Sequence, residues 1–197
     1  PIVISEEWIN EIRSRQPELR PQKLERYHRE YDIPDYDAEI ITGTKHMADL
    51  FEETTKICGK PKKVSNWLMG ETMRLLKENS MEAEEICFAP EHLAALIELV
   101  DAGTINGSVA KEVFEEMFKS DVDPEKYVEE KGLKVVNDEG ALRETIEKVI
   151  AENPQSVEDY HNGKKKAMGF LVGQTMKAMK GKANPAMVNA ILQELLA

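Results

Sequence analysis

Six lysines, at 164, 165, 166, 177, 180 and 182, share one stretch with glycines at 163, 169, 173 and 181: GKKKAMGFLVGQTMKAMKGKANP. Lysine supplies a compact, strongly hydrated positive charge suited to phosphate. Glycine lets another backbone or a bulky anion come close to the chain. The chain around them has 197 residues and a formal net charge of −11. From residue 163 to the end, six lysines face one acid, Glu194, for a net charge of +5, so the preceding 162 residues carry −16. A basic end on an acidic body points to a local polyanionic partner that the body repels elsewhere.

Other reactive residue types form no comparable constellation. His28, His46, His92 and His161 are scattered, without an HxH or HxxxH pair, and read as surface or helix-packing histidines rather than metal ligands. Cys58 and Cys87 stand alone without a CxxC, and read as small apolar residues in a reduced compartment. Acidic pairs such as Glu52–Glu53, Glu84–Glu85 and Glu115–Glu116 read as solvated faces. No GxxxxGK[ST] phosphate loop occurs. The expectation is therefore no catalytic residue, no metal site and no cofactor in this chain. Lys60, Lys62, Lys63 and Arg74 make a second, smaller basic group around Pro61, read either as a solvated turn or as a further contact for the same polyanion. Trp8 and Trp67 read as buried anchors.

The elements that must position these residues are helical. Ser5 with Glu6 and Glu7 opens a helix through about Arg15, and Leu24, Tyr27 and Tyr31 continue at helical spacing after Pro17. Pro34 opens a short piece with Ile40 and Ile41, and Thr44 caps a segment carrying Met47, Leu50, Phe51, Thr54 and Ile57 at i, +3, +4, +7, +10. After the break at Gly59–Pro61, Val64, Trp67, Leu68, Leu75 and Leu76 mark another helix. Pro90 starts the next, ended at Gly103, and Thr104 begins INGSVAKEVFEEMFKS. Ile2–Ile4 and Leu133–Val136 are strand-like but too short to build a sheet. The fold class is all-α, a helix bundle followed by a small helical unit. The boundary is expected at 135/136, with Asn137 or Asp138 capping the next helix, so that 1–135 form a helical domain and 136–197 a tail. No apolar run reaches the roughly 18 residues of a membrane span. PIVISEEWIN does not read as a secretory signal, and a chain opening on proline reads as a piece of something longer.

A helix over 164–180 puts Met168, Leu171, Val172, Thr175, Met176 and Met179 on one stripe, the core side. Lys166, Phe170, Gly173, Lys177 and Lys180 fall on the opposite stripe, with Gly169 at its edge. The glycines would permit close approach and the lysines would attract a sugar-phosphate backbone. A different use of the Gly169/Gly173 face is to dock a helix of a protein partner.

These same residues carry a family resemblance. The pattern FLVGQ-x-MK-x-x-KGKANP-x-x-VN, met at Phe170–Gln174, Met176, Lys177, Lys180–Pro185, Val188 and Asn189, resembles the C-terminal YqeY-like tail of GatB in the GatCAB tRNA-dependent amidotransferases. PIVISEEWINEIRSRQPELRPQKLERY resembles the segment after the catalytic portion of GatB, and YDIPDYDAEIIT and NWLMGE resemble later motifs. The first residues then read as the remnant of a linker from a catalytic domain that has no counterpart here.

The resemblance implies a role in which GatB holds mischarged Glu-tRNA(Gln) or Asp-tRNA(Asn), activates it with ATP and Mg in an N-terminal cradle, and receives ammonia from the glutaminase GatA. This chain would be the helical domain and tail that grip the tRNA, the tail reaching the outer corner near the D-loop, in a cytoplasmic complex with GatA and GatC joined through the missing N-terminal part. It would not be an enzyme by itself. The tRNA-binding residues expected on this basis are Lys164, Lys165, Lys166, Gly169, Gly173, Gln174, Lys177, Lys180 and Lys182, with the Gln174 amide available to a ribose hydroxyl or base edge.

Overall fold

A computed structural model describes residues 5–136 and 138–196. As the periodicity predicts, it is all-α: every regular element among the described residues is helical, and the one backbone pairing outside helices is an isolated bridge between Val136 and Ala183. The run at Ile2–Ile4 lies outside the described residues. The chain divides into two compact units, Pro1–Ile86 and Cys87–Ala197. The boundary expected at 135/136 falls inside the second unit.

The first unit contains α1 (Glu6–Arg15), α2 (Arg20–Tyr31), α3 (Asp35–Ile41), α4 (Lys45–Cys58), α5 (Pro61–Trp67) and α6 (Met73–Asn79). Ser5 and Thr44 cap α1 and α4, accepting from the amides of Trp8 and Met47 at 3.2 Å each. Each cap satisfies one of the amides that a helix start leaves without a partner. The core is built on Tyr27 and Phe51, both fully buried with ring centroids 4.8 Å apart. Arg26 lies over the Tyr27 ring and pairs with Glu18 and Glu52 at 2.7 and 3.0 Å. Between α5 and α6 the helix widens into a π turn, Leu68–Thr72, where the Thr72 hydroxyl donates to the Trp67 carbonyl at 3.1 Å. That turn buries both Leu68 and Thr72. Trp8 is not an anchor: α1 buries none of its residues, and Trp8 is 52% exposed. Trp67 is half-buried.

The second unit contains α7 (Pro90–Asp101), α8 (Gly107–Ser120), α9 (Pro124–Glu130), α10 (Glu139–Glu152), α11 (Pro154–His161), α12 (Lys165–Ala178) and α13 (Pro185–Leu196). The cap of α8 is Asn106, not Thr104: its side-chain oxygen accepts from the Val109 amide at 3.0 Å. Gly103 turns left-handed at φ +68°, and the amides of Thr104 and Ile105 return to the Leu99 carbonyl at 3.0 and 3.3 Å. Thr104 and Ile105 are therefore spent in closing α7, and the next helix starts after them. Asp138 caps α10, donated to by the amides of Gly140 and Ala141; Asn137 lies outside the described residues. Of the two cysteines read as small apolar residues, Cys58 is half-buried and Cys87 is exposed, and the Cys87 thiol donates to the Phe118 carbonyl at 3.5 Å.

Helices α10, α12 and α13 share a hydrophobic core centred on Leu142, Ile146, Leu171, Val188 and Leu192, all fully buried. This group of helices is tied to the helices before it by backbone. The Val135 amide donates to the Thr104 carbonyl at 2.8 Å, and the Val136 amide to the Lys182 carbonyl at 2.8 Å. Asn106 completes the tie: besides capping α8, its amide nitrogen donates to the carbonyls of Gly181 and Ala183, the latter at 3.3 Å.

Candidate nucleic-acid interface

Helix α12 sorts its residues as the periodicity predicts. Leu171 and Thr175 are fully buried, and Met168, Val172, Met176 and Met179 pack partly buried against the same core. Thr175 loses nothing by burial, because its hydroxyl donates back to the Leu171 carbonyl at 2.9 Å. On the other side Lys165, Lys166, Gly169, Phe170, Gly173 and Lys177 are exposed, and Gln174 sits half-buried at the edge. A Cβ built on Gly169 or Gly173 meets no atom within 4 Å. These glycines are therefore not seats for another helix of this chain. They leave a smooth strip of backbone facing solvent.

The start of α12 concentrates positive charge. Lys164 occupies the N-cap position and makes no side-chain capping bond, and the helical part opens on Lys165 and Lys166. Cations here oppose the positive end of the helix dipole, which costs roughly 0.3–1 kcal/mol per charge at a surface site. The same placement favours an anion, which would meet the dipole and the lysines together. One member of the set is already engaged: Lys164 pairs with Asp159 at 2.8 Å. The hydrogen bond between them holds the Lys164 ammonium above, and the Asp159 carboxyl below, their ordinary pKa values. Among the described residues, no carboxylate pairs with Lys165, Lys166, Lys177, Lys180 or Lys182.

The far end differs from a straight helix through 180. The helix stops at Ala178, and Lys180 and Gly181 are both left-handed, at φ +53° and +74°. The Gly181 amide returns to the Met176 carbonyl at 2.8 Å, which closes the helix and swings the chain away from its axis. Lys180 therefore stands on a turn beyond the helix. Lys182 is half-buried in the segment that Val136 and Asn106 hold. The structure thus brings Lys165, Lys166, Gly169, Gly173 and Lys177 onto one open face, with Lys164 at its start and Lys180 and Lys182 on an anchored loop at its end. Asn106 carries no sequence signal for this anchoring, because it lies 77 residues from Ala183.

In the second basic group, around Pro61, Lys62 pairs with Asp32, and Arg74 pairs with Glu71 and Glu78 at 2.8 Å each. A nearby groove of about 600 Å³ is lined by Glu30, Glu52 and Glu53 with Lys56. Its acidic wall is unsuited to phosphate. Three histidines are engaged in polar contacts, His46 with the Ile86 carbonyl at 3.2 Å, His92 with Asp121 at 2.7 Å and His161 with the Leu196 carbonyl at 3.0 Å, and His28 is exposed beside Asp35 at 3.5 Å. Among the described residues no helix is long and apolar enough to cross a membrane.

Comparison with known proteins places the chain. Residues 49–196 match the GatB domain family, GatB_Yqey. The GatB subunit of the aspartyl/glutamyl-tRNA(Asn/Gln) amidotransferase of Agathobacter rectalis is 71% identical over 196 residues, covering 100% of this chain and 41% of that protein. The corresponding proteins of Lachnoclostridium phytofermentans and Lachnospira eligens, of the same name, are 62% and 60% identical, again over 100% of this chain and 41% and 42% of theirs. The chain therefore spans about two-fifths of the length of these relatives.

Proposed function

Because the chain belongs to the GatB domain family, we propose that it is a tRNA-binding portion of an amidotransferase GatB subunit, and that the exposed face of α12 with the loop after it is where the RNA backbone lies. The observation that carries this reading is the strip from Lys165 to Lys177: lysines without acidic partners flank two glycines whose Cβ positions are empty. A folded RNA is recognised largely through shape and phosphate geometry, and such a strip offers charge beside bare backbone at the two glycines. In the parent protein this portion would position mischarged Glu-tRNA(Gln) or Asp-tRNA(Asn) while ATP-dependent transamidation, using ATP and Mg, proceeds elsewhere in a cytoplasmic complex with GatA and GatC. Residues 136–197 act in this reading as an attached tail domain, stiffened by the Asn106 and Val136 ties.

The test is tRNA affinity against salt. Log K should fall linearly with log[salt], by up to roughly 0.7–0.9 per phosphate neutralised, with a Kd on the order of micromolar or weaker at physiological salt. Changing Lys166, Lys177 and Lys180 to glutamate should weaken binding and flatten the slope. A wild-type chain with no salt slope, or a triple variant that binds like the wild type, rejects the site. The chain alone is expected to show no amidation with ATP and an ammonia donor.

A further inference from the structure

Charge does not account for Phe170, which is 46% exposed in the middle of the lysine strip. On a helix the side chains that flank a ring stand three and four residues away. For Phe170 these are Lys166, the buried Ala167, Gly173 and the half-buried Gln174. Two of the four contribute no exposed bulk, and the preceding residue, Gly169, contributes none. A helical side chain leans toward the N-terminus, so the ring leans over the turn of Lys166 and away from the bare backbone at Gly173. Lys166 and Lys177 lie about 16 Å apart along the axis, at 1.5 Å per residue, with the ring between them. A flat π surface nearly half open to solvent and flanked by cations is what an unpaired base with phosphates on either side can use.

We infer that Phe170 is a stacking platform for one unpaired nucleobase of the bound RNA. This rests on the RNA reading above and narrows it: the strip takes a loop or corner with a splayed base, and a continuous duplex, whose base faces are already stacked, cannot use the ring. The other occupant that an exposed phenylalanine could serve, a protein surface, would not explain the unpaired lysines on both sides.

The experiment uses the whole chain with Phe170→Ala, Phe170→Leu and Phe170→Trp, each checked for unchanged helicity by circular dichroism. The probes are an unmodified tRNA transcript and a fully paired RNA duplex of 20 base pairs, titrated at several salt concentrations. Phe170→Ala should weaken tRNA binding by roughly ten- to a hundredfold, the size of one base–aromatic stack. Phe170→Leu should lose as much, because it keeps apolar bulk without a π face, and Phe170→Trp should bind at least as well as the wild type. Duplex binding and the salt slope should not change in any of the three. Wild-type-like tRNA binding by Phe170→Ala, rescue by Phe170→Leu, or an equal loss on the duplex overturns the stacking role while a persisting salt slope leaves the RNA reading standing. Phe170→Ala that alters sedimentation of the chain but not its tRNA affinity assigns the ring to protein docking instead. Absence of salt-dependent tRNA binding by the wild type removes both.

Discussion

Asn106 does two jobs with one side chain, and substitution can separate them. Its oxygen caps α8 through the Val109 amide at 3.0 Å, while its amide nitrogen holds the carbonyls of Gly181 and Ala183. Loss of an N-cap costs about 1 kcal/mol. Loss of the donor leaves carbonyls in a segment where Ala183 is fully buried, and an unsatisfied buried acceptor costs roughly 1–3 kcal/mol. Asn106→Ala, which loses both, should therefore destabilise by about 2–4 kcal/mol. Asn106→Ser keeps a good capping oxygen but cannot donate to both carbonyls, so it should recover about 1 kcal/mol of that loss. Two readouts check this: urea unfolding of the second unit, and hydrogen exchange of the Val136 amide, which donates to Lys182 inside the held segment. A local loss of about 1.4 kcal/mol speeds exchange about tenfold. Both variants should speed it alike, because the tether and not the cap protects that amide. If Asn106→Ser matches the wild type in both stability and Val136 exchange, the tether contributes nothing and the account of how the loop is held is wrong.

Three further outcomes are expected. Leu171→Ala, at a fully buried position of the tail core, should cost about 2–5 kcal/mol in chemical unfolding. Gly173→Ala, in a helix interior with open space around the new Cβ, should stabilise by about 0.5–1 kcal/mol, read as a rise in melting temperature; destabilisation would mean the position is covered. Glu18 is held below the ordinary carboxylate pKa by its hydrogen bonds from Arg26 at 2.7 and 2.8 Å. A depressed folded-state pKa contributes stability above the ordinary value near 4 and loses it as pH falls through the lowered one. Glu18→Gln should therefore destabilise the first unit at pH 7, by about 0.5–1 kcal/mol for a partly exposed pair, and the gap from wild type should narrow as pH is taken towards 3.

Features that depend on nearby residues were legible in the sequence. Ser5, Thr44, Gly59, Gly103 and Asp138 act where their types predict, because caps and left-handed turns are decided within a few residues. The same holds for the two faces of α12, which follow from helical periodicity alone. Features that depend on distant residues were not. The neutralisation of Lys62 comes from Asp32, thirty residues away, and the loop after α12 is held from Asn106 and Val136. Trp8 illustrates the limit from another side: amphipathic spacing shows which face of a helix is apolar, not whether anything covers it. For Lys180, Gly181 was a visible stop signal. The left-handed turn it shares with Lys180 ends the helix earlier than the lysine spacing suggests.

The bare apolar side of α1 has an optical consequence. Trp8 and Ile12 stand one turn apart, 52% and 44% exposed, on a ten-residue helix that buries nothing, a length marginal for an isolated helix in water. Trp8 is the more exposed of the two tryptophans and should emit further to the red, whereas Trp67 is half-buried beside the π turn. Replacing Trp67 by phenylalanine would leave Trp8 as the sole tryptophan, excited apart from the five tyrosines at long wavelength. A blue shift from that single indole would then announce, without any label, whatever macromolecule settles on this helix.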